Sequence, residues 1–265
     1  MKSTVSLLTA GLALGVGFAL SSPSHAGESV YSVNIVGFQQ VDMPEGSQRI
    51  LMAAPFSEDG QTLLDIFGSE SLIEGFPAAD ADRIQFWNFS EQKYVSAAPF
   101  GGVFYDLDEN GQFLATENTN EVNSGIGFWL TAPSGAPANR NITMAGDVSL
   151  IEEASIPIGA GLQILTYPFP VEVALQDLAF AQSGATGGFP ASDADRIQLW
   201  NRELSVYESY GLFDGEWYRL DSAGQFVIPV EPLEYVLQPY EAFWYRALNS
   251  FTWVEDNPYL SGLAD

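Results

Sequence analysis

The residues Asp106-Leu107-Asp108-Glu109-Asn110-Gly111-Gln112-Phe113-Leu114-Ala115-Thr116-Glu117 carry the sharpest chemical signal in the chain. Asp, Asp, Asn, Gly and Glu fall at positions 1, 3, 5, 6 and 12, the spacing of a calcium loop. Oxygens of Asp106, Asp108, Asn110 and Glu117 would wrap one Ca²⁺, and Gly111 would permit the tight turn. Ca²⁺ is the one cofactor this pattern admits. The flanks read as strands, whereas an EF-hand needs helices, and a plain acidic hairpin turn explains the same residues.

Two further sets could carry chemistry. Asp80 with Asp82, and Asp193 with Asp195, sit one residue apart, and strand alternation would put each pair on one side of an extended segment. Such pairs suit a cation or two-carboxylate catalysis; they equally suit capping of backbone N–H groups and pairing with Arg83 or Arg196. Of the six tryptophans, Trp87, Trp129, Trp200 and Trp244 lie in strand-like runs and read as core. Trp217, beside Gly215, and Trp253, near the C-terminal end, read as exposed ligand platforms for carbohydrate.

Composition removes other chemistry. The chain has no cysteine, and its single histidine is His25. Lys2, the apolar run Val5 to Leu20 and Ser24-His25-Ala26 read as a secretory signal cleaved after Ala26. Beyond that point there is no His or Cys, which excludes Ser-His-Asp and Cys-His catalysis, His/Cys zinc sites and thiol redox chemistry. What remains is 34 acidic residues against 8 basic ones (seven Arg and Lys93), a net charge of −26. Such a chain repels nucleic acid and anionic membrane surfaces. It suits a salty medium, where screening relieves self-repulsion.

The elements that would hold these residues come in two copies. Gly75 to Asn88 returns as Gly188 to Asn201, 113 residues further on, with twelve of 14 positions identical. Tyr105 to Phe113 maps at the same offset onto Tyr218 to Phe226, and Phe128-Trp129 maps onto Phe243-Trp244 at an offset of 115. Asn34 to Gly37 loosely resembles Asn141 to Gly146, which puts the second copy's start near 147. In the second copy Arg219, Asp221 and Ala223 stand at positions 1, 3 and 5 of the pattern, a set that could not bind calcium. Short runs rich in β-branched and aromatic residues recur: 31–41, 49–54, 83–89, 93–97, 103–107 and 127–132. Short helices are expected over Thr62 to Phe67 and Val173 to Ala181. The expected organisation is all-β with short helices: a signal (1–26), two tandem homologous β-sandwich or barrel-like domains (27–146 and 147–256), and a loose tail (257–265).

The opening Ser32 to Phe38, the repeated Pro-Ala-x-Asp-x-Asp strand entry, the strand Gly125 to Trp129 and the link Gly146-Asp147-Val148 carry a resemblance. Together they resemble a family of duplicated, β-rich exported proteins of verrucomicrobial and related bacteria. The likeness covers nearly the whole chain beyond the signal. It implies export and β-rich duplication, and it transfers no catalytic residues.

These readings lead to an exported, non-enzymatic protein, structural or adhesive, that is periplasmic, at the cell surface or extracellular. Its expected partners are extracellular polysaccharide or other surface proteins, with no nucleic acid and no membrane insertion after cleavage. A carbohydrate- or calcium-binding module, and a hydrolase using carboxylates alone, are the alternatives.

Overall fold

A computed structural model describes residues 36–43, 46–56, 60–68, 71–119, 121–227 and 234–261. The expected signal, its cleavage point and His25 lie outside the described residues. Within residues 34–265, which cluster as one compact unit, the architecture is all-β.

The first half contains β1 (Val36–Asp42), β2 (Arg49–Ala53), β3 (Gln61–Thr62), α1 (Leu63–Phe67), β4 (Arg83–Asn88), β5 (Lys93–Phe100), β6 (Val103–Leu107), β7 (Phe113–Glu117), β8 (Glu121–Val122), β9 (Gly127–Thr131) and β10 (Asn141–Asp147). The second half contains β11 (Glu153–Ile158), β12 (Gly161–Thr166), β13 (Val173–Ala174), α2 (Phe180–Ser183), β14 (Arg196–Asn201), β15 (Val206–Phe213), β16 (Glu216–Arg219), β17 (Val236–Leu237), β18 (Ala242–Ala247), β19 (Phe251–Asp256) and α3 (Pro258–Ser261).

The central sheets run β2-β9-β4-β5-β6-β7 and β12-β18-β14-β15-β16, antiparallel throughout. Registers correspond at the repeat offsets: Ile84 faces Ala97 as Ile197 faces Tyr210, and Leu51 faces Trp129 as Ile164 faces Trp244. Among the described residues, the second half's counterpart of the β6–β7 pairing is the bridge Leu220 to Phe226. Ribbons β1–β10 and β11–β19 also correspond. The likeness of Asn34–Gly37 to Asn141–Gly146 thus joins strands that pair with each other. Gly37 faces Gly146 under the Phe56 ring, where a Cβ on either would lie 2.3 or 2.8 Å from Phe56 atoms.

Alternation supplies the cores. Ile84 on β4 and Phe128 and Leu130 on β9 point into one cluster with Leu63 and Phe67 of α1. Thr62 starts α1 by capping: its Oγ1 accepts from the Asp65 N–H, and Asp65 Oδ2 accepts from the Thr62 N–H at 2.8 Å. The helix expected over Val173 to Ala181 divides into β13, a 3₁₀ turn (Leu175–Asp177) and α2, because Val173 and Ala174 pair with Leu237 and Val236.

The two sheets meet at a third cluster, Leu51, Ala53, Trp129, Ile164, Ala242 and Trp244. Here Trp87 packs edge-on against Trp244 at 5.3 Å, and Trp129 against Trp200 at 5.4 Å. The β4 tryptophan therefore meets that of β18, and the β9 tryptophan that of β14. Gly127 makes this approach possible, since a Cβ there would fall 2.3 Å from the Ala242 Cβ. Of the expected tail, the described residues 257–261 make specific contacts. Asn257 is buried and donates to the Ser149 and Ile151 carbonyls, and the Tyr259 hydroxyl donates to the Pro170 carbonyl.

Candidate functional site

The four expected calcium ligands are not gathered. Asp106 is inside β6 and accepts from the Asn118 amide. Asp108 Oδ1 accepts from the Asn110 and Gln112 N–H groups, both at 2.8 Å, which closes the hairpin turn. Asn110 is exposed in that turn, and Glu117 lies on β7 opposite Tyr105. Among the described residues no group of three or more His, Cys, Asp or Glu side chains is placed to hold a metal. Asp221 does the same work in the second half, accepting from the Ala223 and Gln225 N–H groups at 2.9 Å. The aspartate common to both copies is a turn residue, and the carboxylates around it face solvent or their own strand.

The paired aspartates do not share a side. A 3₁₀ turn ends at Asp80, and another at Asp193, so strand alternation does not yet apply. Asp80 and Asp193 are exposed, while Asp82 and Asp195 are fully buried. Asp82 accepts from the Ile73 N–H and forms a two-pronged ion pair with Arg140 at 2.6 and 2.8 Å. Its expected partner was Arg83. Asp195 accepts from the Thr186 N–H in the same way, then from the Tyr245 hydroxyl and the Leu248 N–H, with no arginine. Both are clasps that tie the preceding loop to the central strand.

Trp217 and Trp253 are likewise corrected: they are 1% and 0% exposed, not surface platforms. Phe180 of α2 stacks on Trp253 at 4.2 Å and meets Trp217 edge-on, in the second half's core. The Trp253 indole donates to Glu255 Oε1, which also accepts from the Ala179 N–H. Burial pushes the Glu255 carboxyl up, as it does Glu241, which accepts from the Tyr235 hydroxyl and the Gln238 N–H.

What the structure exposes is one sheet face in each half, built alike. Arg83, Gln85, Tyr94, Ser96, Leu107 and Gly111 line a cleft of about 410 Å³. Arg196, Gln198, Tyr207, Ser209, Leu220 and Gly224, each 113 residues on, line one of about 690 Å³. In each, the glutamine amide donates to the serine hydroxyl at 3.1 Å. Gly111 and Gly224 turn the roofing hairpins with φ of 73° and 74°, a region costly to a residue with a Cβ. Tyr94 and Tyr207 are the exposed ends of both clefts toward the junction of the halves. Tyr94 packs on Trp87 and Trp244, and Tyr207 accepts from the Trp244 indole. Burial raises both phenols. Beside them the Arg49 guanidinium lies 4.4 Å from the Trp129 ring and 5.1 Å from Trp200.

The outer end of each face carries an aromatic cluster. Phe76 stacks on Phe113 at 6.0 Å and 7°, with Phe100 against both rings. Phe189 stacks on Phe226 at 5.8 Å and 10°, with Phe213 against both. Phe76 is 72% exposed and Phe189 70%. The signal for these residues was present in the repeat, because all six recur at the common offset. It was masked because a phenylalanine in a strand-rich sequence reads as core. The geometry offers two aromatic surfaces, each beside a polar cleft able to donate and accept hydrogen bonds. No known protein family, no curated protein and no solved structure matches the chain.

Proposed function

We propose that the protein is exported and non-enzymatic, and that it adheres to polysaccharide at the cell surface or in the extracellular matrix through its two equivalent faces. The matched exposure of Phe76 and Phe189 carries this reading. Leaving a ring of that size in water forgoes about 1.5–3 kcal/mol of burial, and the chain does so at the same position twice. An open ring face stacks on the apolar C–H face of a sugar, and Gln85, Tyr94 and Ser96, with Gln198, Tyr207 and Ser209, sit on the same sheet faces for its hydroxyls. Two such faces on one chain bind a repeating polymer with avidity. The absence of His and Cys beyond residue 26 favours binding over turnover.

Affinity electrophoresis in soluble glucans, xylans and mannans, and pull-down on cellulose and chitin, test this. Phe76→Ala and Phe189→Ala should each weaken retention, and the double variant should lose it, with melting temperature nearly unchanged. Full retention by a folded double variant would remove the aromatic faces from the binding site.

A further inference from the structure

In the second half Arg196 stands directly opposite Arg246 in the β14–β18 ladder. Opposed residues of an antiparallel pair project to the same face with Cβ atoms about 4.5–5.5 Å apart, and like charges so placed repel. Neither guanidinium forms an ion pair among the described residues, in a chain with 34 acidic residues to 9 basic ones. Arg196 donates Nε and Nη2 to the Ala191 carbonyl at 3.3 and 3.2 Å, which fixes its plane at the cleft. Its Nη1 lies under the hairpin turn, where a Cβ on Gly224 would come within 3.2 Å. Burial and the neighbouring Arg246 both lower the proton affinity of Arg196, the direction an unbalanced positive site gives. The matching row of the first half reads Arg49, Thr131, Arg83. There no two arginines are opposed, and Arg49 is engaged by two tryptophan rings. The unbalanced pair belongs to the second face alone.

We propose that Arg196 and Arg246 together hold the carboxylate of a uronic acid residue in the polymer bound by the second face. This rests on the polysaccharide reading above. A carboxylate presents two oxygens, a geometry guanidinium groups match with paired N–H donors. Gln198 and Ser209 line the cleft with Arg196 and can meet the ring hydroxyls. A dense polyanion fits less well, because the acidic surface repels it along its whole length. One carboxylate at contact feels the pair, while the remaining field is screened beyond about 8 Å at physiological salt.

Titration calorimetry of the exported protein with neutral oligosaccharides that carry a single galacturonate or a single glucuronate residue, each against its methyl ester, tests the idea with the sugar backbone held constant. At least one acid form should bind about tenfold tighter than its ester. Arg246→Gln should lower the affinity of the acid form to that of its ester, whereas Arg83→Gln in the first half should keep the acid-to-ester ratio. Arg196→Gln also removes the hydrogen bonds to Ala191, so the exposed Arg246 carries the decision. Acid and ester bound equally, or a preference that survives Arg246→Gln, would overturn the carboxylate site while leaving polysaccharide binding intact. If no acidic, esterified or neutral glycan binds, both readings fall.

Discussion

Asp82 and Asp195 show how one residue type in one repeated position is made tolerable by two different sets of partners. Each is fully buried and accepts from the N–H nine residues earlier. Asp82 is then neutralised by Arg140, which is itself largely buried. Removing Arg140 leaves a buried charge uncompensated, so Arg140→Ala should destabilise the protein by about 3–5 kcal/mol in chemical denaturation. Asp195 depends on neutral donors, and Tyr245→Phe removes only one hydrogen bond to a charged group, a loss of about 1.5–3 kcal/mol. Equal losses for the two variants would mean that the ion pair adds nothing beyond its hydrogen bonds. Glu255 provides a pH-dependent case. Burial raises its folded pKa above the unfolded value, so the folded state keeps its proton longer. Below the unfolded value, near 4.5, the carboxyl is protonated in both states and its burial carries no ionic penalty. As pH rises through the folded value, that advantage is lost. Glu255→Gln keeps an acceptor for the Ala179 and Trp253 N–H groups, so its stability relative to wild type should improve from pH 4 to pH 8. Denaturation curves that shift in parallel across that range would contradict the assignment.

At the scale of elements, what the sequence made legible was local. Strands β2, β4, β6 and β9 fall where alternation and β-branched runs placed them, and α1 begins at its capping threonine. Partners distant in sequence were not legible. Arg140 lies 58 residues from Asp82, and nothing in their spacing links them. Trp217 sits beside the Gly215 turn and Trp253 near the C-terminal end, yet packing of Phe180 between β16 and β19 buries both. The calcium pattern is not gathered for a related reason: ligand spacing specifies a loop only if the backbone coils around the ion, and here β6 and β7 extend its flanks into a hairpin. Its second copy already pointed that way, since Asp221 persists where the other ligands do not. Asp108→Ala and Asp221→Ala should therefore each lose about 1 kcal/mol, the scale of a side-chain cap on backbone N–H groups. Both losses should be the same in calcium and in magnesium at equal ionic strength. A calcium-specific rise in melting temperature that Asp108→Ala removes and Asp221→Ala keeps would restore the metal site.

For the whole molecule, the consequence of the repeat is that each half completes the other. Trp87 and Trp200 meet the tryptophans of the opposite sheet, and the indole of Trp87 donates to Leu162 in the other half at 2.7 Å. Backbone bonds cross as well, from the Ala53 N–H to the Tyr240 carbonyl and from the Thr166 N–H to the Gly125 carbonyl. This junction fixes the two exposed faces relative to each other, and at Gly127 the other half leaves no room for a side chain. A methyl added there meets the Ala242 Cβ at 2.3 Å and Ile164 Cγ2 at 2.6 Å. Gly127→Ala should cost about 1–3 kcal/mol through overpacking. Ala242→Gly alone removes one buried methyl and should cost about 1 kcal/mol. Combined, the exchange moves the methyl from one half to the other, so the double variant should recover much of the Gly127→Ala loss, with Ile164 limiting the rescue. A thermodynamic cycle with coupling below about 0.5 kcal/mol would show that the two positions do not touch and that the halves meet elsewhere.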